Sequence, residues 1–321
     1  MNYLITGASG YIGRNLLQQI ASGDNNVIAV THTHRPKIDN QNIKYLQGDI
    51  SNPSFIKSLP SRIDVLIHCA ALVSDYGWKK RFIDVNYNGT KYLVKHFQEG
   101  SIKQFIFLGH ICYDKPSIFN YYVQTKKMAE NFLINEYQTK KFPVTIIRPG
   151  NVFGPDASIW VNTIIDAIKL NRIRLINNGR GTFFHTYIDN LINAIILTIG
   201  NQKTIGETID ITDGDYNITW KKYFSDLAKI INEPSPYKSI SKKMATFLGY
   251  LMIVRFFLFH KQPWITPTAV QLLTANKNIS LEKAKTLLHY SPMIEYNTAM
   301  RKIEKWWNTS VSNSVKTRLR K

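Results

Sequence analysis

Met1-Asn2-Tyr3-Leu4-Ile5-Thr6-Gly7-Ala8-Ser9-Gly10-Tyr11-Ile12-Gly13 opens the chain, and its reading decides the fold. Met1 to Ile5 reads as a short apolar strand. Arg14 to Ile20 has helical spacing, and glycines 7, 10 and 13 stand at the junction. Glycine suits that junction for three reasons: a tight turn, close approach of backbone to a pyrophosphate, and tight packing of helix on strand. The first helical turn then offers unbonded N–H groups to the phosphates. A βα turn with no ligand is the alternative, and the strand and helix on either side tell against it.

Working outward, strands and helical segments alternate. Val27 to Val30, Ile43 to Gln47, Asp64 to His68, Gln104 to Leu108 and Val144 to Ile147 read as strands. A helix carries Phe82, Val85, Leu93, Val94 and Phe97, and a second runs from Asn120 to Tyr137. This alternation predicts an α/β fold, a doubly wound parallel sheet. After Pro155 a helix is expected from Trp160 to Leu170 and a strand from Phe183 to Ile188. A helix N-capped by Asp189 and a last sheet strand, Glu207 to Ile211, follow. From Thr219 the pattern is mostly helical, broken by prolines 234, 236, 263, 267 and 292. The expected division is a dinucleotide-binding domain over 1–150, with 182–212 returning to it. A smaller, mostly helical substrate domain takes 151–181 and 213–307, and 308–321 form a basic tail.

The 321 residues are 44% hydrophobic and 20% charged, which predicts a globular protein with a sizeable core. The net charge of +19 admits nucleic acid, an anionic membrane or an acidic ligand as partner. No nucleic-acid-binding signature accompanies the charge, so nucleic acid is not expected and a lysine-rich solvated surface is. Cys69 and Cys112 read as buried free thiols in a reduced compartment rather than a disulfide. The chain starts directly on its first strand, leaving no room for a signal peptide, so a cytoplasmic location is expected. No metal site is expected.

Tyr and Lys four apart on a helix share a face, and the ammonium favours the phenolate. Such a tyrosine can act as general acid or base near neutral pH. Pairs with this spacing include Tyr87/Lys91, Tyr122/Lys126 and Tyr137/Lys141. Only Tyr122/Lys126 opens a helix just after a strand, at the carboxyl ends where ligands of open α/β sheets bind. The other two read as surface pairs.

These motifs occur in the order found in the extended short-chain dehydrogenase/reductases. They are the glycine loop, Gly48-Asp49, His68-Cys69-Ala70-Ala71, Asn86 within Asn-x-Asn-Gly-Thr, Tyr122-x-x-x-Lys126 and Arg148-Pro149-Gly150-Asn151-Val152-Phe153-Gly154-Pro155. Tyr187-Ile188-Asp189-Asn190-Leu191 and the run from Asn276 to Pro292 resemble the 3β-hydroxysteroid dehydrogenase-like branch. The resemblance implies a Rossmann sheet and an NAD(P)-dependent oxidoreductase. Tyr122 would pass the proton, Lys126 would hold the nicotinamide ribose and tune Tyr122, and Asn86 would support them or relay a proton. Gly7, Ser9, Gly10, Tyr11, Ile12 and Gly13 would hold the pyrophosphate, and Asp49 and Ile50 would lie beside the adenine. Ala70, Ala71, Pro149 and Val152 would complete the cofactor contacts.

Three features individualise the chain. Where NAD-binding units carry an acid after the second strand, this chain has Thr31-His32-Thr33-His34-Arg35, with no acid before Asp39. Arg35 and the histidines facing a 2′-phosphate, with Thr31 among the cofactor contacts, would favour NADP over NAD; solvated loop residues are the alternative. Where the family usually has Ser or Thr after the fifth strand, His110 stands. A neutral imidazole can donate one hydrogen bond to a carbonyl, or the histidine merely fills space in a protein without turnover; Ser74 is a weaker source of a hydroxyl. Finally, residues 244–260 are apolar apart from Arg255 and the closing His260. At about 1.5 Å per residue they fall short of a roughly 30 Å hydrocarbon core. A buried helix, a lid over a hydrophobic substrate and peripheral membrane contact assisted by the basic tail are the readings.

The function expected is hydride transfer between nicotinamide and a hydrophobic, sterol- or lipid-like alcohol or ketone. A nucleotide-sugar epimerase or dehydratase, using Arg172, Arg174 and Arg180 on a diphosphate, is one alternative. A non-catalytic dinucleotide-binding scaffold or sensor is the other. A homodimer is expected by analogy of fold alone.

Overall fold

A computed structural model describes residues 1–111 and 117–318, with the backbone alone over 311–318. Cys112 lies outside the described residues. The strands are β1 (Asn2–Thr6), β2 (Asn26–Thr31), β3 (Ile43–Gln47), β4 (Arg62–His68), β5 (Ser101–Leu108), β6 (Val144–Pro149), β7 (Asn151–Phe153), β8 (Leu175–Ile176), β9 (His185–Tyr187), β10 (Thr208–Ile211) and β11 (Ser239–Ile240). The helices are α1 (Tyr11–Ile20), α2 (Pro53–Lys57), α3 (Lys79–Phe82), α4 (Gly89–Gln98), α5 (Tyr121–Lys140), α6 (Thr163–Lys169), α7 (Ile188–Thr198), α8 (Trp220–Ile230), α9 (Lys242–Phe259), α10 (Pro267–Leu273), α11 (Glu282–Leu288) and α12 (Tyr296–Arg318).

The chain divides into two units. The first comprises 1–149, 192–211 and 280–290. Its sheet is parallel, in the order β10-β6-β5-β4-β1-β2-β3. Strands covered on both faces read as continuous apolar runs, and Val65-Leu66-Ile67 and Phe105-Ile106-Phe107 are such runs, all at most 1% exposed. Leu66, Phe105 and Phe107 share one core with Leu93, Val94 and Phe97 of α4 and Ala129 and Leu133 of α5. A π-helical turn, Ile83–Asn88, joins α3 to α4 and shifts Asn86 into the interior.

The second unit comprises 150–191, 212–279 and 291–321. Two short parallel pairs, β7 with β9 and β8 with β11, replace a large sheet. Aromatic rings fill its interior, with Phe183 stacked on Tyr223 at 3.9 Å and Phe153 edge-on to Phe183 at 5.6 Å.

Several expectations need correction. Residues 182–191, assigned above to the first domain, belong to the second unit, because β9 pairs with β7 and not with the large sheet. Residues 280–290 belong to the first, where Lys283 pairs with Glu207 at 2.7 Å and Leu287 O accepts from Asn201 Nδ2. Asp189 is not a cap: α7 starts one residue earlier, and Asp189 pairs with Lys302 at 3.0 Å. The segment expected to be a tail continues α12 as far as Arg318.

Candidate active site at the strand crossover

The strand order places β1 beside β4 while the chain departs in opposite directions from them, and ligands of such sheets bind at the carboxyl ends there. Thr6 and His68 are register partners at those ends. Gly7 adopts φ 68°, and a Cβ on it would stand 2.6 Å from Ala70 N. A Cβ on Gly13 would stand 2.2 Å from Gly7 O. Gly10 is the N-cap of α1 and supplies no side chain to the first-turn N–H groups. A loop whose tight backbone packing excludes side chains at 7 and 13, leading into a helix N-terminus, fits a pyrophosphate held by backbone.

His68 links the two strands to α4. Thr90 donates to Asn86 O, so His68 Nε2–H donates to Thr90 Oγ1 at 3.1 Å. His68 Nδ1 then accepts from Thr6 Oγ1 at 2.6 Å, and Thr6 Oγ1 accepts from Ala70 N–H at 3.3 Å. Burial first, and the Lys126 ammonium second, lower the His68 pKa to about 3. The imidazole is therefore a neutral strut. The same two influences act oppositely on Cys69, where burial dominates and pushes the thiol up to about 12.

Asn86 is equally committed. Its Oδ1 accepts from Leu72 N–H at 2.7 Å, and its Nδ2 donates to Leu72 O and Thr125 Oγ1, each at 3.1 Å. These bonds engage the whole amide, which clamps the loop after β4 to α5. That geometry supports a positioning role rather than the relay considered above.

Helix α5 carries the candidate Tyr122–Lys126 pair. Asn120 caps it by accepting from Val123 N–H at 3.0 Å. Tyr122 is half-buried, and Lys126, one turn later, is 2% exposed with its ammonium 3.8 Å from the centre of the Phe107 ring. The His110 ring lies 5.3 Å from that of Tyr122. Burial, then Lys126 and Arg148, lower the His110 pKa to about 4, so its imidazole is neutral at physiological pH. Another turn along, Glu130 is wholly buried: Oε2 accepts from Arg148 Nε at 2.9 Å and Nη2 at 2.5 Å, and Oε1 from His110 N–H at 3.2 Å. A Cβ on Gly109 would stand 2.4 Å from Glu130 Oε1, so glycine is needed beside the carboxylate. Thr6, Thr125, Glu130 and Arg148 were missed as site residues. The spacing of Glu130, four after Lys126, was the available signal.

The other tyrosine–lysine pairs are cation–π contacts, with Lys91 5.3 Å from the Tyr87 ring and Lys141 5.4 Å from the Tyr137 ring. Of the expected cofactor residues, Ser9, Tyr11, Ile12, Ala70 and Ala71 are half-buried around the glycine loop. Thr31 is buried at the end of β2, while the Arg35 guanidinium stacks 4.1 Å above the Tyr45 ring. Asp49 Oδ1 accepts from Ser51 N–H and Oγ, and the Ile50 side chain belongs to the core. Pro149 ends β6 in the first unit, whereas Val152 lies in β7 of the second.

Comparison with known proteins identifies relatives of the whole chain. Sterol-4-alpha-carboxylate 3-dehydrogenase, decarboxylating, of Mus musculus is 25% identical over 92% of this chain and 88% of its own length. The 3-beta-hydroxysteroid dehydrogenase of Mycolicibacterium neoaurum is 22% identical with the same coverage. Among solved structures, an epimerase of Methanothermobacter thermautotrophicus matches with TM-score 0.78, at 17% identity over 98% of this chain and 94% of that one. UDP-glucuronic acid 4-epimerase of Bacillus cereus, in complex with UDP-glucuronic acid and NAD, matches with TM-score 0.75, at 20% identity over 96% and 99%. The family model described as NAD dependent epimerase/dehydratase family matches residues 3–218, two-thirds of the sequence, and the chain belongs to that family.

Proposed function

We propose that the protein is an NAD(P)-dependent dehydrogenase or reductase acting on a hydrophobic, sterol- or lipid-like alcohol or ketone. The observation that carries the proposal is the face of α5: Tyr122 against His110, with the buried Lys126 ammonium one turn away. A bound nicotinamide would supply or accept the hydride. Tyr122 holds the proton that the substrate oxygen gains or gives up, and Lys126 stabilises the phenolate that forms. His110, neutral, donates one hydrogen bond to the same oxygen in place of the hydroxyl usual in the family. Glu130 holds His110 by its backbone. The names of the relatives support the sterol-like class.

The preference for NADP over NAD rests on Arg35 and on the absence of an acid between Thr31 and Ile38. Titrating tryptophan fluorescence with NADPH and NADH tests it. Tighter NADH binding would reverse the preference and leave the enzyme reading intact. Turnover on a panel of 3β-hydroxysteroids, abolished in Tyr122→Phe with cofactor affinity unchanged, is the expected result; no turnover of any carbonyl or alcohol would leave a dinucleotide-binding scaffold.

The nucleotide-sugar alternative has less support. Arg174 is bonded to the Asn171 and Ile173 carbonyls. Arg180 alone of the three arginines lines a cavity of about 370 Å³, with Asn177, Asn178 and Asn276.

A further inference from the structure

α9 contradicts the ordinary rule for surface helices. Its packed side is narrow: Ala245, Gly249 and Ile253 are its buried residues, and a Cβ on Gly249 would stand 2.9 Å from Pro267 N. The opposite side should then be polar. Instead Phe247, Leu251, Val254 and Leu258 recur there at i, i+4, i+7 and i+11, exposed by 60%, 46%, 52% and 66%. Met244, 52% exposed, extends the strip by a turn.

The charge along the chain that carries the strip has one sign. Residues 234–281 contain six Lys and Arg and no Asp or Glu. Lys242 and Lys243 stand exposed where α9 begins, and Lys261 stands exposed just beyond its end. Trp264, 57% exposed, and Tyr237, 76% exposed, add the amphipathic rings that favour a membrane–water boundary. No helix among the described residues is long and apolar enough to cross a membrane. An apolar strip of about 24 Å, from Met244 to Phe259, has the form of a helix lying in the interface.

We infer that α9 is a membrane-docking helix, which lays its Phe247–Leu258 strip into an anionic lipid surface. The cations decide the occupant. A second copy of the chain would bring Lys242, Lys243 and Lys261 against their own counterparts, with no acid from 234–281 to offset them. Anionic headgroups complement them, each cation near the surface strengthening attachment several-fold. The inference is independent of the reaction assigned to the first unit.

Flotation of the full chain with lipid vesicles tests it. Vesicles of phosphatidylcholine mixed with phosphatidylglycerol are expected to carry the protein upward, and pure phosphatidylcholine vesicles to carry much less. Phe247→Glu with Leu251→Glu should reduce partition by on the order of tenfold or more. Lys242→Gln with Lys243→Gln should do the same at low salt and add little at high salt. All six positions after Val315 are unchanged in these variants, so the loss reports on α9 and not on the basic terminus. The altered residues are exposed, and circular dichroism should confirm an unchanged fold. Failure of the unaltered chain to float, or equal flotation of the Phe247/Leu251 variant, overturns the inference. So does a dimer in sedimentation that the Phe247/Leu251 variant converts to monomer while neither protein floats.

Discussion

His68 offers the sharpest test of the crossover geometry. Its folded pKa of about 3 lies below the ordinary 6.5, so between those values the unfolded chain holds a proton that the folded chain does not. Stability from this group is present above the unfolded value and is lost as pH falls. The slope reaches about 1.4 kcal/mol per pH unit, and the accumulated loss is about 3 kcal/mol by pH 4.5. A loss of that size is a large fraction of a typical domain's stability. The perturbation is His68→Asn, which removes the titrating group. Urea unfolding of both proteins from about pH 7 to 4.5 is the assay. The substitution will lower stability at neutral pH, since Thr6 and Thr90 lose well-placed partners, but that offset is constant. The informative quantity is the difference between the two curves, which should shrink by about 3 kcal/mol as pH falls. Because His110 and the carboxylates titrate in both proteins, they cancel. Parallel curves would refute the argument: His68 would then be protonated in the folded chain, and the Thr6–His68–Thr90 chain of bonds would be wrong.

Four further outcomes follow from particular contacts. Gly13→Ala should destabilise by about 2 kcal/mol and abolish tight cofactor binding, read by thermal melting and fluorescence titration, because its methyl collides with Gly7 O. Asn86→Ala should cost about 3 kcal/mol in urea unfolding, through the Leu72 N–H and C=O left without the amide and the lost donor to Thr125. Glu130→Ala removes both the carboxylate that pairs with Arg148 and the acceptor of His110 N–H, and should cost about 3 kcal/mol, with turnover falling further than cofactor affinity because His110 loses its backbone anchor. In a Cys112→Ser background, Cys69 should resist iodoacetamide at pH 8 until the chain is unfolded, since its thiol is pushed up to about 12.

The sheet was legible because it is parallel and buried on both sides. Unbroken apolar runs such as Val65-Leu66-Ile67 announce such strands directly, and the glycine spacing announced the first turn. Tyr122 was separable from Tyr87 and Tyr137 by its place after β5, not by its lysine. What escaped was long-range pairing. Phe183 to Ile188 has strand character, but nothing local says that His185 to Tyr187 pairs with β7 rather than with the large sheet. The commitments of Asn86 and Glu130 escaped for the same reason: a side chain's partners 14 to 39 and 18 to 20 residues away leave no periodic trace. The apolar run at 244–260 was visible, whereas its exposure depends on how little of α9 the small residues Ala245 and Gly249 can bury.

The first unit is assembled from three separate lengths of chain, and this bears on how it comes off the ribosome. When residue 149 has emerged, β6 is an unprotected edge presenting unpaired backbone groups. Its partner β10 is still some sixty residues away, and α11 arrives only with residues 282–288. The nascent sheet therefore waits, with Val144 O and Ile146 N–H unpaired, until Gly206 and Glu207 follow and bond them. At roughly 5–20 residues per second that interval lasts many seconds, long enough for edge-to-edge association to compete. An amino-terminal fragment ending near residue 150 keeps the glycine loop and the Tyr122–Lys126 face and yet stops the chain while the β6 edge is open. Expression of the intact chain at reduced temperature, with chaperones in excess, is the safer source of material.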